Sequence, residues 1–296
     1  MIKSLAKGIY VKLLHPVAVK IARDVSQRFY DLNCEALWVQ IKNSQLQNPK
    51  LNVMGAGYKI FSQSDEDGII QEIFNRITTS NKIFLEVGVG NGCENNTVWL
   101  LVSGWKGIWI EADSNNYLQC VEFRKKLDEK DTVDSLRIFQ KEVTTSGDFT
   151  YALDSLLELG MKKNEIDLLS IDIDSQDISI CEMILKFVKP RVIAIEYNAK
   201  FPPPISISVS KSMTKWTSDD YYGASLAYIV DKLDDYLLVG TSITGSNAFF
   251  VRKEFKNFFK DVGNVFELYS PARFYLSRCK TTPTVAPLKW IFNEKK

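Results

Sequence analysis

The sequence predicts an α/β fold of the doubly wound, Rossmann-like kind. From about residue 82 onward, short apolar segments typical of buried strands alternate with segments of helical periodicity. A glycine turn, Gly88-x-Gly90-x-Gly92, follows the first of these strands, and Glu111 ends the second. These observations predict a mainly parallel sheet with a ligand site at the carboxyl ends of its strands.

Bulk composition narrows the functional classes. At 296 residues with 45% hydrophobic content, the chain can form one large domain with extensions. The net charge of +1 gives no global field that would attract nucleic acid. The only histidine is His15, which disfavours a Ser-His-Asp or histidine-metal mechanism. The five cysteines lack a C-x-x-C pair, which indicates a reduced, cytoplasmic protein.

Residues 1–54 are predicted to form a helical extension outside the sheet. Its first 50 residues carry eight basic and three acidic side chains, and apolar residues recur there at helical spacing (Ile2, Leu5, Ile9 and Leu13). A basic amphipathic helix can lie on an anionic membrane surface, here the inner face. The alternatives are a helix that caps the domain or pairs with a second subunit as a homo-oligomer.

A capped helix is predicted just before the first strand. Ser64 is placed to cap it, and three acids in succession favour its first turn (Asp65, Glu66 and Asp67). The apolar stripe that follows predicts one buried face (Ile69, Ile70, Ile73 and Phe74).

The first βαβ unit contains the central motif. Residues 82–87 are predicted as a strand, 96–103 as a helix and 108–111 as the second strand. Glu111 lies about where an acid that accepts the hydroxyls of a ribose is expected. A dinucleotide fold requires G-x-G-x-x-G to face a pyrophosphate, so the observed glycine spacing disfavours a nicotinamide enzyme.

Acids follow two later strands. Residues 136–143, 166–174 and 191–198 are predicted as the third, fourth and fifth strands. Parallel neighbouring strands end at one edge of the sheet. We therefore expect Asp172, Asp174, Glu196 and Asn198 to converge there.

The remaining elements complete the predicted sheet. Residues 199–218 are predicted as a substrate loop, and a helix then runs to about Leu233. Residues 236–243 and 248–252 are predicted as two strands joined by a tight turn. Residues 253–296 are predicted as a C-terminal extension.

The segment from Glu86 to Gly92 resembles motif I of class I S-adenosylmethionine-dependent methyltransferases, E/D-x-G-x-G-x-G, and Glu111 matches their second-strand acid. Further matches resemble the FkbM-type methyltransferases: S-Q-x-D-E-D-G-I at residue 62, N-x-T ending at Thr97 with Asn96 and Thr97 as matches, G-W-x-G-x-x-I-E-x-D at residue 104 and D-Y-x-G-A-S at residue 220. The resemblance implies a methyltransferase domain over residues 55–252, with a seven-stranded sheet that ends in an antiparallel hairpin.

The resemblance also implies a set of cofactor residues. The loop after the third strand is expected to contact adenine, and Glu111 the ribose. The residues implied for S-adenosylmethionine are Gln63, Glu86, Gly88, Gly90, Gly92, Asn96, Thr97, Glu111, Ala112, Asp113, Glu142, Val143 and Asp172.

The chemistry at the acids has two alternatives. A sugar hydroxyl needs a base or a metal to take its proton, so Asp172 or Asp174 is the catalytic base, or a hard cation such as Mg²⁺ is held by Asp172, Glu196 and Asn198. This arrangement is similar to that of the macrocin-type O-methyltransferases. The chain departs from a common I-D-I-D-G-N-D pattern in such relatives, because Ser175 and Gln176 replace Gly and Asn.

The function implied by the resemblance is methylation of a saccharide hydroxyl, on a free or glycolipid-linked glycan, in surface-glycan biosynthesis. The residues expected at the substrate are Asp174, Tyr197, Trp216, Tyr221 and Tyr222. The alternative is a non-catalytic protein that keeps the fold and docks a glycan-assembly complex at the membrane.

Overall fold

A seven-stranded sheet organises the part of the chain that the computed structural model describes, which comprises residues 15–128, 135–210, 213 and 216–278. The strand order is β3-β2-β1-β4-β5-β7-β6, parallel from β3 to β5, with β7 antiparallel to both β5 and β6. The strands are β1 (Ile83–Val87), β2 (Lys106–Glu111), β3 (Leu136–Gln140), β4 (Glu165–Ile171), β5 (Lys189–Glu196), β6 (Tyr236–Thr241) and β7 (Asn247–Arg252). The predicted methyltransferase-type sheet with its C-terminal hairpin is confirmed.

Helices cover both faces of the sheet. They are α1 (His15–Gln47), α2 (Asn52–Gly55), α3 (Glu66–Ile77), α4 (Val98–Val102), α5 (Ser114–Asp128), α6 (Thr150–Glu158), α7 (Asp177–Ile184), α8 (Leu226–Lys232) and α9 (Val265–Leu268). The strands are buried on both sides because successive side chains alternate between the two layers. In β1, Leu85 packs with α6 and α7, whereas Phe84 packs with α3 and α4.

Helix α5, between β2 and β3, was not predicted. Its sequence is strongly polar and lacks a clear apolar stripe, so periodicity gives no signal there. Its start is defined locally, because the Asp113 carboxylate accepts hydrogen bonds from the backbone N–H groups of Asn115 and Asn116, each at 2.9 Å.

Helix α3 begins differently from the prediction. Asp65 is its N-terminal boundary residue, and Ser64 makes no capping bond. The Ser64 hydroxyl instead donates to the Glu66 carboxylate at 2.8 Å, while the Ser62 hydroxyl accepts a bond from the Asp67 N–H at 3.2 Å. The predicted apolar stripe is buried as expected (Ile69, Ile70, Ile73 and Phe74).

Helix α1 is attached to the sheet domain along its C-terminal half. The Lys42 ammonium lies 2.5 Å from the Asp65 carboxylate and 2.6 Å from the carbonyl oxygen of Met54, and both charged groups are buried. The basic amphipathic segment predicted at residues 2–13 lies outside the described residues. None of the described helices combines the length and the apolar character that a membrane span requires.

Candidate functional site

One cavity of about 1310 Å³ lies at the carboxyl ends of the parallel strands. Its wall contains most of the residues predicted for the site, contributed by the segment before α3, the ends of β1 to β5 and the loop before α8. Those residues are Gln63, Glu86, Gly88, Gly90, Asn96, Glu111, Ala112, Asp113, Glu142, Val143, Asp172, Asp174, Glu196, Trp216 and Tyr222.

The glycine turn brings backbone to the cavity wall. Gly88 and Gly90 both have positive φ, 81° and 62°, a conformation that side chains disfavour. A Cβ on Gly88 would also collide with the backbone carbonyl oxygen of Asp172. A Cβ on Gly90 would meet no atom within 4 Å, so this turn presents bare backbone to a ligand.

Glu111 closes the turn from the end of β2. Its side chain is buried, and one carboxylate oxygen accepts the Gly90 N–H at 2.7 Å while the other accepts the Asp113 N–H at 2.8 Å. Each oxygen has further acceptor capacity, and the residue lines the cavity. The Glu111 carboxylate is therefore fixed in position, and its oxygens can accept further hydrogen bonds from a ligand.

Glu86 is buried at the edge of the cavity, where its carboxylate accepts hydrogen bonds from several neighbouring residues. Burial raises the pKa of its carboxyl, and hydrogen bonds from its neighbours oppose that rise. Its donors are Asn95 Nδ2 at 2.5 Å, Thr97 Oγ1 at 2.5 Å, Asn96 N at 2.9 Å and Ser170 Oγ at 3.2 Å. The N-x-T segment of the family resemblance therefore supplies hydrogen-bond donors to Glu86, the acid of motif I.

We expect Thr97→Val to lower the free energy of unfolding by about 2 kcal/mol, because a buried group left without a partner costs a desolvation penalty of this order. Thr97 Oγ1 donates to Glu86 and accepts the indole N–H of Trp109 at 2.8 Å. Urea unfolding would measure the loss. The matched control is Thr145→Val, at an exposed loop position, and an equal effect of both variants would contradict the role of Thr97.

Three carboxylates meet at the cavity wall. The side-chain oxygens of Asp172, Asp174 and Glu196 all lie within 4.8 Å of one another. Burial raises the pKa of Asp172 well above its ordinary value, and the charges of Asp174 and Asp177 raise it further. Burial also raises the pKa of Glu196, as does the charge of Asp172. The cluster therefore requires shared protons or a bound cation.

The loop that carries Asp174 is held by Asp177. The Asp177 carboxylate accepts the N–H groups of Ile173 at 2.8 Å and Ser175 at 3.1 Å, and burial raises its pKa to about 6. Asp174 takes the positive φ of this turn, 54°, and Ser175 does not. Position 175 therefore does not require glycine, and the serine found here in place of the glycine of related sequences fits the loop.

Three residues of the cavity wall have a buried side-chain oxygen without a hydrogen-bond partner among the described residues, and these oxygens are Asn95 Oδ1, Glu196 Oε2 and Asn247 Oδ1. Glu196 and Asn247 face each other across the antiparallel pair of β5 and β7. Asn247 was not predicted for the site, because it follows an ordinary hairpin turn. Unpaired buried acceptors are rare, so this corner of the cavity is built to receive a donor or a cation.

Some predicted site residues do not reach the cavity. Tyr197 is fully buried and donates to the Ser270 carbonyl oxygen at 2.5 Å, which corrects its assignment to the substrate. The Asn198 amide donates to the carbonyl oxygens of Asp220 and Tyr222, so its NH₂ group holds the loop before α8.

Three more predicted residues lie outside the lining. Tyr221 is largely exposed, and its hydroxyl accepts the Ser210 N–H at 2.8 Å. Thr97 is buried behind Glu86. Gly92 packs toward Cys120 and Trp109, so it shapes the turn without facing the cavity.

The acidic segment before β1 stabilises the scaffold. Asp65 pairs with Lys42 and accepts the Ile243 N–H at 2.8 Å. One Asp67 oxygen accepts three consecutive backbone N–H groups, of Ile60, Phe61 and Ser62, at 2.7 to 2.9 Å. Asp65, Glu66 and Asp67 are absent from the cavity lining, so this part of the resemblance reflects folding of the region.

Aromatic side chains from distant segments form one part of the cavity wall. Trp216 contacts Tyr222 edge-on, with ring centroids 5.8 Å apart, and its indole N–H donates to the Asp219 carbonyl oxygen at 2.8 Å. Tyr30 of α1 and Tyr275 near the C-terminus also line the cavity. Tyr30 and Tyr275 were not predicted for the site, because the sequence around them contains no recognisable motif.

No protein-family model matches the chain, and no curated protein matches it. Among solved structures, the chain is similar to an S-adenosylmethionine-dependent methyltransferase from Aquifex aeolicus (12% identity, 62% of this chain and 88% of that chain, TM-score 0.38). It is also similar to a methyltransferase from Geobacter sulfurreducens (13%, 74% and 88%, TM-score 0.40) and to an O-methyltransferase from Bacillus cereus in complex with S-adenosylhomocysteine (18%, 72% and 90%, TM-score 0.38). Similarities this distant carry no functional argument.

Proposed function

We propose that the chain is an S-adenosylmethionine-dependent O-methyltransferase. The observation that carries the proposal is that one cavity is lined both by the glycine turn with Glu111 and by the carboxylate cluster. Its volume, about 1310 Å³, exceeds the roughly 300–1000 Å³ of pockets for single small ligands. A cofactor and an acceptor can therefore occupy it together.

The cofactor takes the glycine end. Glu111 accepts the hydroxyls of the ribose, and Glu142 and Val143 after β3 flank the adenine. The bare backbone at Gly88 and Gly90 lets the nucleoside approach the ends of β1 and β2 closely. The reactive methyl group then points toward Asp172, which follows β4 beside Gly88.

The acceptor hydroxyl takes the carboxylate end. Methyl transfer is an in-line displacement, so the site must align the acceptor oxygen with the methyl group. Asp172 or Asp174 accepts the hydroxyl proton, and the raised pKa of each carboxyl makes it a stronger base than an ordinary aspartate.

The cluster also fits a hard cation. Glu196 Oε2 is buried without a partner, and the oxygens of Asp172, Asp174 and Glu196 are close enough to share one ion. A bound Mg²⁺ would polarise the acceptor hydroxyl and so ease its loss of a proton. The proposed ligand set replaces Asn198 of the sequence prediction with Asp174, since the Asn198 side-chain oxygen accepts the Lys200 N–H at 3.2 Å and Asn198 does not line the cavity.

A saccharide is the proposed acceptor class, in surface-glycan biosynthesis as in the FkbM-type and macrocin-type enzymes that the sequence resembles. The aromatic wall (Tyr30, Trp216, Tyr222, Phe274 and Tyr275) offers apolar faces for sugar rings. Carboxylates beside it can accept hydrogen bonds from sugar hydroxyls. A glycolipid-linked glycan would be presented at the inner face of the membrane.

Calorimetric titration of the purified chain tests the proposal. S-adenosylhomocysteine is expected to bind and NAD is not, since the glycine turn lacks the spacing that faces a pyrophosphate. Each titration is run with Mg²⁺ and with EDTA, and tighter binding with Mg²⁺ would support a cation at the carboxylate cluster. Absence of S-adenosylhomocysteine binding would contradict the proposal and favour a non-catalytic docking protein.

A further inference from the structure

Helix α1 exposes a long apolar stripe that nothing in the described part of the chain covers. The stripe repeats with alternating spacings of four and three residues, which is the heptad pattern of a coiled-coil seam. Its nine positions are all exposed, and eight of them are apolar (Ala18, Ala22, Val25, Phe29, Leu32, Ala36, Val39 and Leu46), with Asn43 the one polar residue. Phe29 is 69% exposed and Val25 is 62% exposed. Such a surface marks an interaction site.

The opposite face of the same helix is already occupied. Cys34, Trp38 and Ile41 pack against Ile243 and Leu276 of the sheet domain, and Lys42 is held by Asp65. Only the C-terminal half of the helix is attached in this way, because every residue from 15 to 29 is exposed and Tyr30, also exposed, contacts the domain through its hydroxyl, which donates to the Tyr275 carbonyl oxygen at 3.4 Å. The N-terminal half therefore projects from the domain with its apolar side chains in solvent.

We propose that this face of α1 pairs with α1 of a second copy of the chain, in antiparallel orientation, to form a homodimer. An antiparallel pair that places Phe29 opposite Leu32 of the partner subunit lays the projecting half of each helix along the attached half of the other. Small and large residues then alternate across the seam, with Ala22 opposite Val39 and Val25 opposite Ala36. The projecting half of each helix is then covered by the partner's helix, whereas no described residue of its own chain covers it.

Charges beside the seam favour the antiparallel orientation. Arg28 and Glu35 occupy equivalent heptad positions one repeat apart. In this register, Arg28 and Glu35 of the partner subunit flank the same side of the seam with an offset of two residues, which long side chains can span, and twofold symmetry makes the contact twice. A parallel pair would place neutral residues, Asn33 and Gln40, opposite these two charges.

The same charges disfavour a lipid surface as the occupant. Apart from Lys42, whose charge is buried against Asp65, α1 carries three basic residues (Lys20, Arg23 and Arg28) and three acidic residues (Asp24, Asp31 and Glu35). An interfacial helix that binds anionic lipid needs an excess of positive charge. A second copy with complementary charges fits this face better.

Light scattering on the full chain tests the pairing. We expect a mass of twice 33.8 kDa at micromolar concentration for the unaltered chain. Leu32→Glu should weaken association by roughly 100-fold or more, because it buries two unpaired charges at the centre of the seam. The control is Ser44→Glu, which adds the same charge to an exposed position of α1 outside the seam and should leave the dimer intact.

A charge exchange tests the orientation. Arg28→Glu should weaken the dimer, and the double variant Arg28→Glu/Glu35→Arg should restore it. A dimer insensitive to Arg28→Glu would overturn the antiparallel register. A monomeric unaltered chain, or a dimer unaffected by Leu32→Glu, would overturn the pairing itself.

Two controls accompany these variants. Circular dichroism checks that each variant keeps its fold, which the exposure of Leu32 leads us to expect. Co-sedimentation of the unaltered chain with phosphatidylglycerol vesicles is measured in parallel. Vesicle binding by a monomer that Leu32→Glu abolishes would assign the stripe to a membrane and overturn the proposal.

Discussion

Asp172→Asn is expected to lower turnover by roughly 100- to 10,000-fold, the range for loss of a general base, while S-adenosylhomocysteine affinity stays nearly unchanged. Asparagine keeps the size of the side chain but cannot accept a proton from the acceptor hydroxyl. The backbone N–H of Asp172 bonds to the Val87 carbonyl oxygen at 3.0 Å, so the loop is held independently of the altered side chain.

Turnover is measured as transfer of labelled methyl from S-adenosylmethionine to a glycan fraction, and affinity by calorimetry. Asp154→Asn, on the exposed face of α6, is the matched control and should retain full activity. An active Asp172→Asn variant would remove Asp172 from the mechanism. Loss of cofactor binding in that variant would instead assign Asp172 to the cofactor.

Glu196→Gln distinguishes the two roles of the carboxylate cluster. If a cation is held there, this variant should lose the Mg²⁺ dependence of binding, because one anionic ligand is removed. If Asp172 or Asp174 acts alone as the base, Glu196→Gln should retain substantial turnover without any dependence on Mg²⁺. Calorimetry with Mg²⁺ and with EDTA reports the difference.

Glu111→Ala is expected to weaken S-adenosylhomocysteine binding by roughly 100-fold, because hydrogen bonds to a charged acceptor are each worth about 1.5–3 kcal/mol. The variant removes the acceptor of the ribose hydroxyls. It also frees the Gly90 N–H that Glu111 now holds at 2.7 Å, so part of the loss comes from a looser glycine turn.

Glu111→Gln separates these two contributions. Glutamine retains one acceptor oxygen for the Gly90 N–H but lacks the charge, so its affinity should fall between those of the unaltered chain and Glu111→Ala. Asp154→Ala provides the control for removal of an acid elsewhere. Unchanged affinity in Glu111→Ala would overturn the ribose role.

The strand content could be predicted from the sequence because buried parallel strands are mainly apolar segments followed by acids or glycines. Residues 166–171 and 191–196 are such segments, and both formed central strands of the sheet. Helix α5 could not be predicted, because its polar sequence has no periodic signal and its start depends on the local cap at Asp113.

The residues of the candidate site were likewise predictable only in part. Glu111, Asp172, Asp174 and Glu196 were identified because sheet geometry places the ends of neighbouring parallel strands together. The positions of Tyr197 and Asn198 could not be read from the sequence, because side-chain direction beyond a strand end depends on the loop that packs there. Asn247 became visible only through the pairing of β7 with β5.

The sequence by itself determined the order of the strands, the glycine turn and the acids that end the strands, because each is encoded within a few neighbouring residues. The tertiary structure alone decided which acids face the cavity and which brace the scaffold. Both carboxylate oxygens of Glu86 accept hydrogen bonds, whereas Glu196 keeps a buried oxygen without a partner among the described residues. That difference depends on contacts between segments far apart in the chain, which local patterns do not specify.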